Sequence, residues 1–340
     1  MSSVIDSHSH LYSSSYMEML KSRTDLPRID ERDGAFYFVI FPDEEENGGR
    51  LMEAPMWSID EKLAAMDRGG FDHSVVSLGN PWLDPVTGAE SIDWAGRINS
   101  DFAAFETETN GRVFGLGVLP NARPEEAAEI AGVIAKTDGL YGIITGCRIC
   151  GLTFDNPDLE PVWNELSESG LPIFVHPHYA VAIDQLGGFG TILPLGIGFP
   201  VETSIAVSLY CPECYSVTLA SKMLVAHAGG VLPYLAARLD VSWRGDDEAQ
   251  KHLAVLPSEA LAGLWLDSVI YHRRGLNTAA DLVGNKRLLF GTDHPFFKDS
   301  PADIFATVGD TFSQDQAVLE AVANENAVSF FNLPVRDKQV

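Results

Sequence analysis

Histidine and aspartate recur in this chain immediately after apolar, strand-like runs. Val4-Ile5-Asp6-Ser7-His8-Ser9-His10 closes on two histidines two residues apart, a spacing that puts both on one face of a strand. Two imidazoles so placed can grip one divalent cation, although an H-x-H pair alone is common. Phe174-Val175-His176-Pro177-His178, Val225-Ala226-His227 and Leu289-Phe290-Gly291-Thr292-Asp293 repeat the arrangement. A polar side chain at the end of a buried strand is costly without a partner, so the recurrence points to one shared site. His8, His10, His176 and Asp293 would supply three neutral nitrogens and a carboxylate, a mononuclear set that suits zinc first, with manganese as the alternative. His178 has the strand parity of His176 and could also face inward. His227 is a candidate general acid or base, or a donor to substrate. Asn80, after Ser77-Leu78-Gly79, can offer both an acceptor and donors to a heterocyclic ring edge.

Elements able to gather those residues are legible as alternation. Candidate strands are Val4–His10, His73–Asn80, Val113–Pro120, Gly142–Cys147, Pro172–His178, Lys222–His227, Leu264–Tyr271 and Arg287–Asp293. Most are continuous apolar runs, as in parallel strands covered on both faces by helices. Candidate helices are Ser58–Gly69, Arg123–Thr137, Leu159–Ser169, Thr203–Leu209, Leu232–Trp243 and Gly275–Leu282. Eight strand-helix units predict an α/β (β/α)8 TIM barrel, whose chemistry sits where the C-terminal strand ends meet. The expected organisation is a single domain over residues 1–340 with an insertion after strand one, residues 14–55, and a Gly-rich one at 183–200; both would lie at the mouth. Helices over Gln316–Phe331 would pack outside.

Composition narrows the function classes. The 340 residues carry a formal net charge of -25, which disfavours phosphate backbones and so argues against nucleic-acid partners. No uncharged apolar run is long enough to span a bilayer. The start runs directly into Val4-Ile5-Asp6 with no basic and apolar leader pattern, so a cytoplasmic location is expected. Cys147/Cys150 and Cys211/Cys214 form two C-x-x-C pairs, too widely separated for a zinc ribbon, whose pairs lie roughly 15–20 residues apart; ordinary reduced thiols are expected. No G-x-G-x-x-G follows the first strand, and nothing suggests an organic cofactor.

The motifs H-S-H at 8–10, H-P-H at 176–178, H-A-G-G at 227–230 and G-T-D-H-P-F at 291–296 resemble the amidohydrolase superfamily. The likeness lies in its decarboxylase branch of aminocarboxymuconate-semialdehyde and γ-resorcylate decarboxylases, with isoorotate (5-carboxyuracil) decarboxylases as the most similar group. The resemblance covers nearly the whole chain. It implies one divalent metal held by His8, His10, His176 and Asp293, with His178 behind His176 rather than on the metal. No lysine follows strand four, so a carboxylated-lysine bridge between two metals is not expected. The resemblance further implies Asp293 and His227 as catalytic groups and a small carboxylic acid as substrate. Asn80, Phe199, Phe296 and Trp82 would contact the ring. A homodimer is implied, in which Arg238 reaches the neighbouring site and pairs with an anionic group. The expected reaction is non-oxidative decarboxylation of an aromatic or heteroaromatic acid bearing an ortho oxygen, as in 5-carboxyuracil to uracil. A salicylate- or resorcylate-type acid and hydrolysis of a lactone or amide are the alternatives.

Overall fold

The computed structural model describes residues 3–179, 181, 185, 192–209, 222–296 and 301–335. Eight strands, all paired in parallel, form one sheet in chain order: β1 (Ile5–His10), β5 (His73–Ser77), β6 (Val113–Val118), β7 (Leu140–Thr145), β8 (Ile173–Val175), β9 (Met223–Val225), β10 (Trp265–Asp267) and β11 (Leu288–Leu289). Just past β11 the chain turns back on β1. Ser7 N donates to Phe290 O at 2.8 Å, Asp293 N to His8 O at 2.8 Å and His10 N to His294 O at 2.8 Å. These bonds close the TIM barrel and set the sequence-distant ligands side by side.

Most of the strands are apolar because both faces are covered; β6, Val-Phe-Gly-Leu-Gly-Val, is buried at every position. Gly115 is required there, since a Cβ would lie 2.4 Å from the backbone oxygen of Phe102 on the helix behind it. That helix, Gly88–Glu108, is absent from the sequence expectation. It is locked to β6 by Asn99, whose amide donates to Val118 O and accepts from Val118 N. Its mixed polar surface hides an apolar stripe through Ile98, Phe102 and Phe105.

The expected strands are present with shifted ends. The fourth lies at Leu140–Thr145 rather than Gly142–Cys147. The seventh stops at Asp267 rather than Tyr271, because the Asp267 carboxylate turns to accept from the backbone N–H groups of His227, Ala228 and Val269. The second ends at Ser77, so Asn80 belongs to the following loop. Ser58 caps the helix Ile59–Gly69, accepting from Glu61 N at 3.3 Å.

The insertion after strand one has structure of its own. A helix Ser14–Lys21 leads to an antiparallel sheet of β2 (Arg28–Arg32), β3 (Ala35–Val39) and β4 (Arg50–Leu51). Glu44 accepts from Ile40 N and Phe41 N and pairs with Arg50. In the second expected insertion, residues 183, 184 and 186–191 lie outside the described residues, as do Cys211 and Cys214. Cys147 and Cys150 are free thiols. Among the described residues no helix is long and apolar enough to cross a membrane.

Candidate metal centre

His8 and His10 end β1, His176 follows β8, and Asp293 follows β11. Their ligand atoms all lie within 4.8 Å of one another, and all four residues are buried. No other such group of acidic, histidine or cysteine side chains occurs among the described residues.

The hydrogen bonds behind each ring fix which nitrogen faces the centre. His176 Nδ1 lies 2.8 Å from Pro177 O; a carbonyl only accepts, so Nδ1 carries the hydrogen and Nε2 a lone pair. Ser77 Oγ donates to Ser9 O and so accepts from His10 Nδ1, 3.1 Å away. The Asp267 carboxylate accepts from His8 Nδ1 at 2.6 Å. Each histidine thus turns Nε2 toward a common point, with its other nitrogen held by a carboxylate, hydroxyl or carbonyl, as metal-bound imidazoles are held.

At that point the contacts are those of gathered ligands rather than of a hydrogen-bond network. His8 Nε2 and His10 Nε2 face each other at 3.1 Å. Asp293 Oδ1 lies 3.5 and 3.3 Å from the same two atoms. Yet Asp293 Oδ1 and His176 Nε2 are buried without a hydrogen-bond partner, a condition that costs about 1–3 kcal/mol per group. A divalent cation satisfies all four donors at once, and three nitrogens with one carboxylate fit its chemistry.

Electrostatics agree. Burial pulls His8 down, but the Asp293 and Asp267 carboxylates outweigh it and push its pKa up to about 10. With protein donors alone, a proton therefore sits where the cation would. Burial lowers His10 to about 4 and holds His176 well below the ordinary range. Burial would raise Asp293, but His8, His10 and His227 hold its carboxyl well below the usual range, so it is ionised.

His227 stands beside this group, its Nε2 3.5 Å from Asp293 Oδ2. Its Nδ1 is buried without a partner. Asp293 and His227 both take left-handed backbone, at φ 59 and φ 56, which non-glycine residues adopt at a cost of order 1–3 kcal/mol, often at functional sites. Gly230 lets the chain pass close to the helix Phe199–Leu209: a Cβ there would lie 2.2 Å from Pro200 O.

The remaining expected residues are placed unequally. Trp82 is buried, with its ring 6.0 Å from His176 and 4.4 Å from His178 between centroids. Phe296 packs on His10 at 5.1 Å and is 39% exposed. Asn80 Nδ2 donates to Pro177 O and His178 O, while Oδ1 is buried without a partner. His178 stays off the ligand group; its Nε2 lies 3.2 Å from Asp84 Oδ2. Phe199 is half-buried at the start of its helix, and none of the described ring contacts joins it to the ligands. Arg238 is exposed on the helix Leu232–Arg244 and is not brought to this site by its own chain.

Two contributors were missed from sequence. Asp267, the anchor of His8, ends an apolar strand as the other site residues do, and that signal could have found it. Lys62 is 1% exposed, with Nζ 3.2 Å from His294 Nδ1. It lies with Ala65, Met66 and Gly69 on the buried face of the helix Ile59–Gly69, a cation at apolar spacing.

The amidohydrolase family profile matches residues 5–333, and the chain belongs to that family. Among solved structures, the isoorotate decarboxylase (IDCase) of Metarhizium anisopliae is 31% identical, with 98% of each chain covered and a TM-score of 0.88. The 2-amino-3-carboxymuconate-6-semialdehyde decarboxylase of Dictyostelium discoideum is 27% identical over 253 residues, 73% of this chain and 69% of that one. A dihydroxybenzoic acid decarboxylase of Polaromonas sp. JS666, solved with bound manganese and 2-nitroresorcinol, shares the fold. It is 19% identical, covering 99% of this chain and 98% of its own, with a TM-score of 0.77.

Proposed function

We propose that the protein is a metal-dependent, non-oxidative decarboxylase of an aromatic or heteroaromatic acid with an oxygen ortho to the carboxylate, with 5-carboxyuracil as the best-fitting substrate. The observation that carries this reading is the convergence of three histidine Nε2 lone pairs and the Asp293 carboxylate, with His227 against that carboxylate. His8, His10, His176 and Asp293 hold the metal in a single domain. Zinc fits the donor set first and manganese also fits. A divalent cation held there would polarise the substrate's carboxylate and its ortho oxygen.

The protein's own groups do the rest. Asp293 is ionised, so it can deliver only a proton it first receives; His227 Nε2, 3.5 Å from Asp293 Oδ2, is the group within reach. The pair passes one proton to the carboxylate-bearing ring carbon. The bond from that carbon to the carboxylate then breaks, its electron pair returns to the ring, and carbon dioxide leaves. Trp82, Phe296 and Phe199 wall the ring and keep water from the proton donor. Asn80 favours a pyrimidine. Its Nδ2 is committed to two carbonyls, leaving an acceptor that a ring N–H satisfies and that a benzoate meets only through a hydroxyl.

The working unit is a homodimer in the cytoplasm, with Arg238 of the partner subunit pairing with an anionic substrate group. Tyr234, 84% exposed, and Val241, 68% exposed, share the helix face of Arg238 at i, i+4, i+7 spacing, an apolar surface suited to burial against a second copy. The test is a panel of ortho-oxygenated acids, including 5-carboxyuracil and 2,6-dihydroxybenzoate, assayed for carbon dioxide with metal content measured on the same sample. Release of carbon dioxide fastest from 5-carboxyuracil supports the reading. Turnover that consumes water without releasing carbon dioxide overturns it in favour of lactone or amide hydrolysis.

A further inference from the structure

Lys62 is not used by the chemistry above, yet it is among the largest fully buried side chains of the protein. The Asp6 and Asp293 carboxylates favour its charge from a distance, but none lies within ion-pair distance among the described residues; its ammonium meets His294 Nδ1 at 3.2 Å. A buried cation without a contacting anion is costly, and an apolar residue of similar size at this apolar position is expected to be more stable. Its retention asks for a reason beyond packing.

The surroundings supply one. Lys62 reaches from the helix Ile59–Gly69 to the seam where the chain after β11 meets β1. Asp6 on β1 accepts from Thr292 N and Oγ1 across that seam, at 3.0 and 2.7 Å. His294 N donates to Thr292 Oγ1 at 3.1 Å, and His294 O accepts from His10 N at 2.8 Å. His294 therefore sits between two ligands: it follows Asp293 in the chain and pairs with the backbone of His10. Its side chain is pinned by Lys62, which donates to Nδ1 and so fixes the ring.

We infer that Lys62 is a positioning residue for the metal centre, holding His294 and through it the relative placement of Asp293 and His10. The inference rests on the proposed metal site. It predicts a sign that a purely electrostatic role would reverse. An ammonium acting only as a nearby charge repels a divalent cation, so removing it would slow metal loss. A positioning ammonium keeps the ligands together, so removing it speeds metal loss, by about 10- to 100-fold on the scale of supports behind metal ligands.

The experiment compares Lys62→Met, His294→Gln and the double variant as metal-loaded full-length proteins. It measures the rate of metal transfer to a chelator, melting with and without metal, and kcat and KM. Faster metal transfer in both single variants, a double variant no faster than the worse single, and a fall in kcat with KM within about twofold support the inference. Unchanged or slower metal transfer, or effects that simply add in the double variant, overturn it. A lowered melting temperature with unchanged metal transfer marks Lys62 as a packing residue only, and also overturns it. If Lys62→Met does not fold, His294→Gln, at a half-buried position, carries the same readouts alone. Wild-type protein with no stoichiometric metal would instead sink the proposed function, a distinguishable result.

Discussion

Behind the ligand cluster nearly every polar group has a partner, whereas at the mouth several do not. On the inner side, Asp267 holds His8, Ser77 holds His10, Pro177 O holds His176, and Asp6 ties the seam to Thr292. On the outer side, His227 Nδ1 and Asn80 Oδ1 are buried without a hydrogen bond, and Phe296 and Tyr179 are partly exposed. The inner layer is completed by the fold and orients a cation to a fixed geometry. The outer layer leaves hydrogen-bonding capacity and apolar surface unused, as a site that takes a substrate requires. Substitutions on the two sides should therefore fail differently.

The largest effect is expected at the boundary. Asp293→Asn should lower kcat by more than about a thousandfold, since it removes both a ligand charge and the proton relay; turnover within tenfold of wild type would refute the paired role. Next, His227→Asn should cost on the order of a hundredfold or more in kcat while metal content, measured by elemental analysis, stays stoichiometric. If metal is lost as well, His227 belongs to the inner layer and the division is drawn in the wrong place.

On the inner side, Asp267→Asn should weaken metal binding by about 10- to 100-fold, read by chelator competition, with little change in KM once metal is saturating. The same anchor sets a pH dependence. His8 is raised from 6.5 to about 10 in the metal-stripped fold, so its contribution to stability is full below its unfolded value and is lost as pH rises through about 10. Metal-stripped protein should therefore unfold at lower denaturant concentration at pH 10 than at pH 7. Metal uptake displaces the same proton, so apparent affinity should rise about tenfold per pH unit over that interval. The smallest effect belongs to the mouth: Phe296→Ala should raise KM by roughly tenfold or less and leave metal affinity unchanged.

The same division explains what could be read from sequence. His8, His10, His176 and Asp293 were legible because each is a polar residue punctuating an apolar strand, and barrel topology brings strand ends together whatever lies between them. Asp267 obeys the same rule and was overlooked inside an overlong strand. Lys62 was invisible because charged residues on amphipathic helices ordinarily face water; only its spacing with Ala65, Met66 and Gly69 betrays it. The helix Gly88–Glu108 was missed because its apolar stripe is diluted by polar neighbours. The sheet of the first insertion was hidden because short strands with exposed faces carry little periodicity. Arg238 was read only by resemblance, since an exposed arginine on a helix carries no signal that separates it from an ordinary solvent-facing one.

The closing seam has a consequence for biogenesis. His8 and His10 lie near one end of the ligand set and Asp293 some 280 residues away, so a nascent chain on the ribosome can present nitrogen donors long before the carboxylate has been translated. High-affinity cation capture must wait until the stretch through His294 has emerged and docked against β1. Loading is thereby tied to completion of the cylinder, and a chain released early would leave translation without its charge-balanced ligand set.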